Sequence, residues 1–245
     1  MAKKTIAIVG AGPGVGLAIA KRFGRQGFKV ALLSRNQTSL NDLVECLSIQ
    51  GIEAAAFTAD VTDDNSVTSA LNTAISHFGS IDVLEYSPCP PADTLRTPKT
   101  IDVANQLYHL RLTVLGAVAA VQTVLPGMIE RKSGSLLFTG PASAQYPVAM
   151  TGSACVAAGS ELNYAKVLNQ ELSGDGIYAG FVSICGWVIQ KGDENGTHPS
   201  GLPLVAAQDV ADIHWDLHVK RDRVEAFAGD LAPLLKLANA TVAGP

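Results

Sequence analysis

Four glycines alternate through Gly10-Ala11-Gly12-Pro13-Gly14-Val15-Gly16, directly after the apolar run Ile6-Ala7-Ile8-Val9. Glycine lets the backbone turn tightly and admits an anion close to the main chain. A helix starting here would add free N–H groups and the positive end of its dipole. Phosphate or pyrophosphate is the ligand such a loop suits. The common G-x-G-x-x-G spacing would need Gly where Val15 stands, so the pattern that fits is G-x-x-x-G-x-G through Gly10, Gly14 and Gly16. A strand-like run before it and a helix-like run after it mark a dinucleotide loop rather than an isolated turn. Gly12, Pro13 and Val15 complete the stretch expected against the cofactor.

A second group of polar residues bears on which dinucleotide this is. The next apolar run ends Leu32-Leu33-Ser34-Arg35-Asn36, and no Asp or Glu occurs from Phe28 to Asn41. An NAD site places an acid here to bind the ribose 2′-hydroxyl. Ser34 and Arg35 instead offer donors to a 2′-phosphate, Arg35 through a charge-assisted fork. The expectation is NADP(H) in preference to NAD(H); the other reading leaves Arg35 a solvated turn residue. In Thr58-Ala59-Asp60-Val61, Asp60 can accept from an adenine amino group, with Val61 beside it, or serve only as a turn or cap residue.

The elements that must position these residues follow from apolar periodicity. Ile6–Val9, Val30–Leu33, Ala54–Phe57, Val83–Leu84, Leu136–Phe138 and Phe181–Ile184 read as short buried strands. Helical periodicity covers 15–26, 38–50, 64–78, 101–130 and 152–173. Alternating strands and helices imply right-handed crossovers, hence an α/β fold with a parallel sheet flanked by helices, doubly wound in one domain over residues 1–245. Pro88–Pro98 and Trp187–Pro203 follow strand ends without periodicity, and the second reads as a lid at about 187–203. In the tail, Val224–Phe227 reads as an edge strand, Leu231–Ala240 as a helix packed on this or another subunit, and Thr241–Pro245 as disordered.

Composition excludes several classes. A net charge of −4 without a basic run argues against nucleic acid. Cys46, Cys89, Cys155 and Cys185 lack C-x-x-C spacing, which predicts no metal site and suits a reducing, cytoplasmic setting. Leu112–Leu125 reads as a buried helix, too short for a membrane span, and no membrane association is expected.

Further motifs complete a resemblance. The glycine pattern and Asp60-Val61 are joined by Ile81-Asp82-Val83-Leu84, by Leu115-Gly116 with Gln122 and Leu125-Pro126-Gly127-Met128, by Gly134-Ser135-Leu136-Leu137-Phe138, by Gln170-Glu171-Leu172 and by Gly186-Trp187-Val188. Together, from Thr5 to about Leu217, they resemble the short-chain dehydrogenase/reductase family. The resemblance implies a Rossmann-type NAD(P)(H)-binding domain, a small-molecule substrate and a homodimer or homotetramer. It also implies cofactor contacts from Ser87 and Pro88 after the fourth strand and from Gly186 and Val188 after the sixth. The family's catalytic Asn, Ser, Tyr and Lys are not matched: counting back from Gln170-Glu171-Leu172 puts Ala154 and Ala158 at the Tyr and Lys positions, Pro141 at the Ser and Thr113 near the Asn. No Tyr in the chain has a Lys four residues on.

Ser143, Tyr146 and Thr113 are therefore the candidate catalytic residues, with His109 on the Thr113 face of its helix, read as a surface or interface residue with a lesser claim to proton transfer. Tyr164 reads as core or interface. The function expected is an NADP(H)-dependent oxidoreductase with a non-standard active site. The alternatives are a non-redox lyase, isomerase or cyclase on the same fold, or a cofactor-binding protein without catalysis.

Overall fold

The computed structural model describes residues 3–189 and 202–240. Strands and helices alternate as β1 (Thr5–Val9), α1 (Val15–Gly24), β2 (Lys29–Ser34), α2 (Gln37–Ser48), β3 (Ala54–Thr58), α3 (Asp64–Phe78) and β4 (Val83–Tyr86). There follow α4 (Val103–Leu110), α5 (Gly116–Arg131), β5 (Gly134–Pro141), α6 (Gly152–Leu172), β6 (Ile177–Ile184), β7 (Trp187–Ile189), β8 (Leu204–Ala206), α7 (Ala207–Lys220), β9 (Glu225–Ala228) and α8 (Ala232–Ala240). Seven strands form one sheet in the order β3-β2-β1-β4-β5-β6-β9, and every pairing in it is parallel. The chain winds outward from β1 in one direction and from β4 in the other. Their carboxyl ends therefore flank the crevice where open α/β sheets bind ligands.

Burial on both faces explains the near-continuous apolar strands. Ala7, Val9, Leu84, Tyr86, Leu136 and Phe138 feed the core shared with α3, α5 and α6. Ile6, Ile8, Val83 and Leu137 feed the core shared with α1, α2 and α7. In α3, Val67, Ala70, Leu71, Ala74 and Phe78 recur on one face and are buried. Short polar side chains start the helices: Asn36 Oδ1 accepts from Ser39 N at 3.0 Å, and Asp63 Oδ1 from Asn65 N at 3.0 Å.

Several sequence expectations are corrected. The helix expected over 101–130 is two helices, joined by a π turn at Arg111–Leu115; the Tyr86 hydroxyl donates to the Leu112 carbonyl within it at 2.7 Å. The stretch Val103–Arg131 is long and apolar enough to cross a membrane, contrary to the expectation that no run is; here it packs on the sheet, with Gly116, Ala117, Ala120 and Val121 buried. His109 is fully buried rather than at the surface, its Nε2 lying 3.1 Å from the Thr94 carbonyl. Helix α7 was not anticipated, nor was the small parallel ladder of β7 with β8.

The irregular segment after β4 is tied down: Arg96 N donates to Ser153 Oγ and Ser153 N to the Arg96 carbonyl, both at 3.2 Å. Most of the expected lid, residues 190–201, lies outside the described residues, as does 241–245. The edge strand and the tail helix form within a residue of where periodicity placed them, and α8 packs on its own chain through Leu234.

Candidate active site

The glycine loop joins β1 to α1 across the crevice. Gly10 has φ +93°, and a Cβ there would lie 2.6 Å from Pro88 N, so only glycine allows β1 and the chain after β4 to approach this closely. A Cβ on Gly12 or Gly14 would meet nothing within 4 Å, so these two face open space. The N-terminus of α1 has no side-chain cap. Open space, unadorned backbone and an uncapped helix end are what a pyrophosphate needs. Gly16 instead serves packing, since a Cβ there would lie 3.0 Å from Ala11 Cα.

Beside the loop is a cleft of about 220 Å³. Gly10, Ser34, Arg35, Asp60, Val61 and Pro88, all read from sequence as cofactor residues, line it together with Thr62, Cys89 and Leu112. Ser34 ends β2, and Arg35 follows it, exposed. Asp60 Oδ1 accepts from Thr62 N at 2.9 Å and from Thr62 Oγ1 at 2.8 Å. Those bonds, with the nearby Arg35 charge, hold its carboxyl below the usual carboxylate range. Asp60 is thus an ionised acceptor at the cleft wall; the cap of α3 is Asp63. Val188 sits in the β7–β8 ladder and Gly186 just before it, where Trp187 N donates to the Pro203 carbonyl at 2.9 Å. A Cβ on Gly186 would run into that carbonyl, so this glycine has a packing duty of its own.

Sequence reading missed a buried polar chain under the crevice. Ser87, just past β4, donates from Oγ to Glu85 Oε2 at 3.0 Å. Glu85 Oε1 lies 2.7 Å from Thr139 Oγ1, which lies 2.7 Å from His214 Nε2. Glu85 and His214 are fully buried. Burial pushes the Glu85 carboxyl up to about 8, against the lowering by Thr139 and Ser87. It pushes His214 down to about 3. Across the sheet, buried Glu161 on α6 is raised by burial and by the Glu85 charge. The available signals were an acid inside an apolar strand and a histidine in phase with the apolar face Ala207, Val210, Ala211, Leu217.

The profile of the short chain dehydrogenase family matches residues 4–187. The chain belongs to that family. Among its relatives, 2-(S)-hydroxypropyl-CoM dehydrogenase 3 of Xanthobacter autotrophicus is 30% identical over 71% of this chain and 68% of its own length. The 1-deoxy-11-beta-hydroxypentalenate dehydrogenase of Streptomyces arenae is 30% identical over 93% of this chain and 83% of its own. Among solved structures, an actinorhodin polyketide ketoreductase with NADPH superposes with a TM-score of 0.81 at 21% identity, covering 92% of this chain and 95% of its own. L-Sorbose reductase from Gluconobacter frateurii, complexed with NADPH and L-sorbose, gives 0.81 at 20% identity, covering 94% and 97%.

In this member of the family the half of the crevice over β5 and β6 is apolar. Ala154 and Ala158, one turn apart on α6, are half-buried and buried. Around the start of α6, Ala142, Val148, Cys155, Cys185 and Leu234 form a cluster against which Tyr146, Leu231 and Leu237 pack. The Tyr146 ring lies 6.3 Å from that of Phe227. Ser143 is buried in the turn Ala142–Ala144 after β5. Thr113, half-buried, lies in the π turn, on a different element from Ser143 and Tyr146. Tyr164 packs near Phe138, ring centroids 6.1 Å apart, as a core residue.

Proposed function

We propose that this short-chain dehydrogenase is an NADP(H)-dependent oxidoreductase for a small molecule, with a proton donor other than the family's Tyr–Lys pair. The observation that carries this is the single cleft gathering Gly10, Ser34, Arg35 and Asp60 beside an uncapped helix end. Gly12, Pro13, Gly14, Val15 and Gly16 would hold the pyrophosphate through backbone N–H groups and the α1 dipole. Ser34 and Arg35 would hold the 2′-phosphate, and Asp60 with Val61 the adenine. Ser87, Pro88, Gly186 and Val188 would border the nicotinamide end. When bound, the cofactor supplies or takes the hydride. Ser143, Thr113 and Tyr146 are the side chains assigned to the substrate, Tyr146 through its ring. Losing a general acid typically lowers rate by about 10²–10⁴, so an activated acceptor such as a conjugated carbonyl or an iminium ion suits this site best.

Val156 and Val167, exposed along α6, and Leu107 and Leu115, exposed on the α4–α5 stretch, favour a homodimer or homotetramer. Four free thiols, two of them buried, suit the cytoplasm.

Nicotinamide fluorescence and thermal shift with NADPH and NADH test the reading. Tighter NADPH binding is expected, followed by loss of NADPH absorbance with a member of a panel of enones, imines and quinones. Failure of both dinucleotides to bind would overturn it. Binding with silence across the panel would favour a protein that holds the cofactor without redox turnover.

A further inference from the structure

The chain Ser87–Glu85–Thr139–His214 runs into the core from half-buried Ser87, the neighbour of the cleft residue Pro88, and the proton count along it is constrained. Thr139 Oγ1 has one proton and two neighbours at 2.7 Å, Glu85 Oε1 and His214 Nε2. If Thr139 donates to Glu85, His214 Nε2 must donate to Thr139. If Thr139 donates to His214, Glu85 must itself carry a proton and donate it to Thr139. Only the first arrangement leaves Glu85 Oε2 free to carry a proton: the neutral acid then donates from Oε2 to Ser87 Oγ, the reverse of the bond Ser87 makes to the carboxylate, and full burial favours that neutral set. His214 Nδ1 has no partner among the described residues, so it makes no competing demand for a proton. The titratable groups facing Glu85 are His214 from α7 and, through the sheet, Glu161 from α6; burial favours the neutral form of each. Near neutral pH Glu85 is therefore a carboxylic acid, one hydrogen bond from a half-buried hydroxyl at the carboxyl end of β4.

We propose, on the reading that the crevice holds NADP(H), that Glu85 is the proton store of this site, a carboxylic acid beside the reduced cofactor and a carboxylate beside the oxidised one. In the reducing direction hydride adds to a substrate carbonyl carbon, and the π electrons of the C=O bond pass to oxygen. That oxygen takes the Ser87 hydroxyl proton, and the Glu85 proton refills Ser87 Oγ. A carbonyl compound, NADPH and the Glu85 acid thus give an alcohol, NADP⁺ and the Glu85 carboxylate, which regains a proton from water through Ser87 after release. The new carboxylate and the positive charge of the oxidised nicotinamide stabilise each other. A buried acid lying away from the nicotinamide end would not respond to the cofactor's redox state.

The test needs no substrate. Dissociation constants of NADP⁺ and NADPH are measured between pH 6 and 9 for the full-length protein and for Glu85→Gln, which keeps the shape and hydrogen bonding and removes the titration. The 2′-phosphate and Arg35 act on both cofactors alike, so the ratio of the two constants isolates the nicotinamide end. In the wild type NADP⁺ should gain on NADPH by roughly tenfold as pH rises from 6 to 8, and NADP⁺ binding at pH 7 should release protons into weakly buffered indicator solution. Glu85→Gln should give a flat ratio with NADPH affinity within about twofold of wild type. A flat wild-type ratio without proton release, or an equal slope in the variant, would overturn the proposal while leaving the NADP(H) reading intact. Binding of neither cofactor would overturn both. Should the variant fail to fold, the wild-type ratio and proton release still decide.

Discussion

Over β1, β2 and β4 the carboxyl edge of the sheet opens into a cleft that carries Ser34, Arg35 and Asp60 and is bounded by a glycine packed close to Pro88. Over β5 and β6 the same edge is closed by Ala142, Val148, Cys155, Cys185 and Leu234, with Leu231 and Leu237 of the tail segment packed against them. The two halves answer to different constraints. A dinucleotide fixes where backbone N–H groups and donors must lie, which leaves few substitutions open to that half. A proton donor needs only an acidic group within reach, and any element that borders the crevice can supply one. The strict half announces the family; the permissive half can be rebuilt.

The largest effect that would sharpen this contrast lies inside the glycine loop. Gly10→Val should abolish NADPH binding and lower the melting temperature, because its Cβ would meet Pro88 N at 2.6 Å at a φ of +93°; such backbone strain alone costs about 1–3 kcal/mol. Gly12→Ala should fold like the wild type, since its Cβ meets nothing within 4 Å, and lose affinity only because the methyl fills space reserved for phosphate. Fluorescence titration beside calorimetric melting separates the two. Equal melting losses would show that the loop is packed for stability rather than kept open for a ligand.

Next is Arg35→Ala. Arg35 is exposed and makes no hydrogen bond or ion pair among the described residues, so stability should stay within about 0.5 kcal/mol of wild type. A hydrogen bond to a charged group contributes about 1.5–3 kcal/mol, so NADPH should weaken by roughly 10–100-fold while NADH changes little. Parallel weakening of both cofactors would take the 2′-phosphate away from Arg35.

A smaller effect should come from the pH dependence of stability. Glu85 sits near 4.5 unfolded and about 8 folded, so the folded state holds the proton more tightly. Its contribution is full below pH 4.5 and is lost as pH rises through 8. His214 runs the other way: lowered from 6.5 to about 3, it contributes fully above 6.5 and loses that contribution as pH falls towards 3. Glu85→Gln should therefore flatten the decline between pH 5 and 9, a difference on the order of 2 kcal/mol in urea-unfolding free energy. An unchanged decline would place the titration elsewhere.

How far the two halves could be read from sequence follows the same division. Helix α3 falls where periodicity put it, because Asp63 caps it and one apolar face repeats without interruption. Strands β5 and β6 run longer than expected, since Gly134, Ser135 and Gly180 weaken an apolar pattern that ladder pairing nonetheless extends. Helix α7 carried a clear core face, hidden by Asp209, Asp212 and Asp216 on the solvent side and by His214 within it. Glu85 made the fourth strand look finished two residues early. A buried acid leaves no periodic mark: its burial depends on Thr139, Ser87 and His214, which only the tertiary fold brings to it. The residues lining the cleft were legible because one loop and one strand end carry most of them; the buried chain from Ser87 to His214 was not, because it joins the ends of two strands to a helix far along the chain.

Tyr146→Phe should have the smallest effect, and it bears on the apolar half directly. Tyr146 stands in the loop leading into α6, packs with the apolar cluster and lies 6.3 Å from Phe227. Among the described residues its hydroxyl has no hydrogen-bond partner, whereas its backbone N–H donates to the Ala142 carbonyl at 3.0 Å. The ring therefore holds its place through packing and main chain, both of which phenylalanine keeps. Stability should shift by less than about 0.5 kcal/mol, and the rate with any substrate found should stay within about threefold. A loss of about 10²–10⁴ with the fold intact would instead make that hydroxyl the general acid. The apolar half would then be a working acid site, and Glu85 would no longer be needed as its proton store.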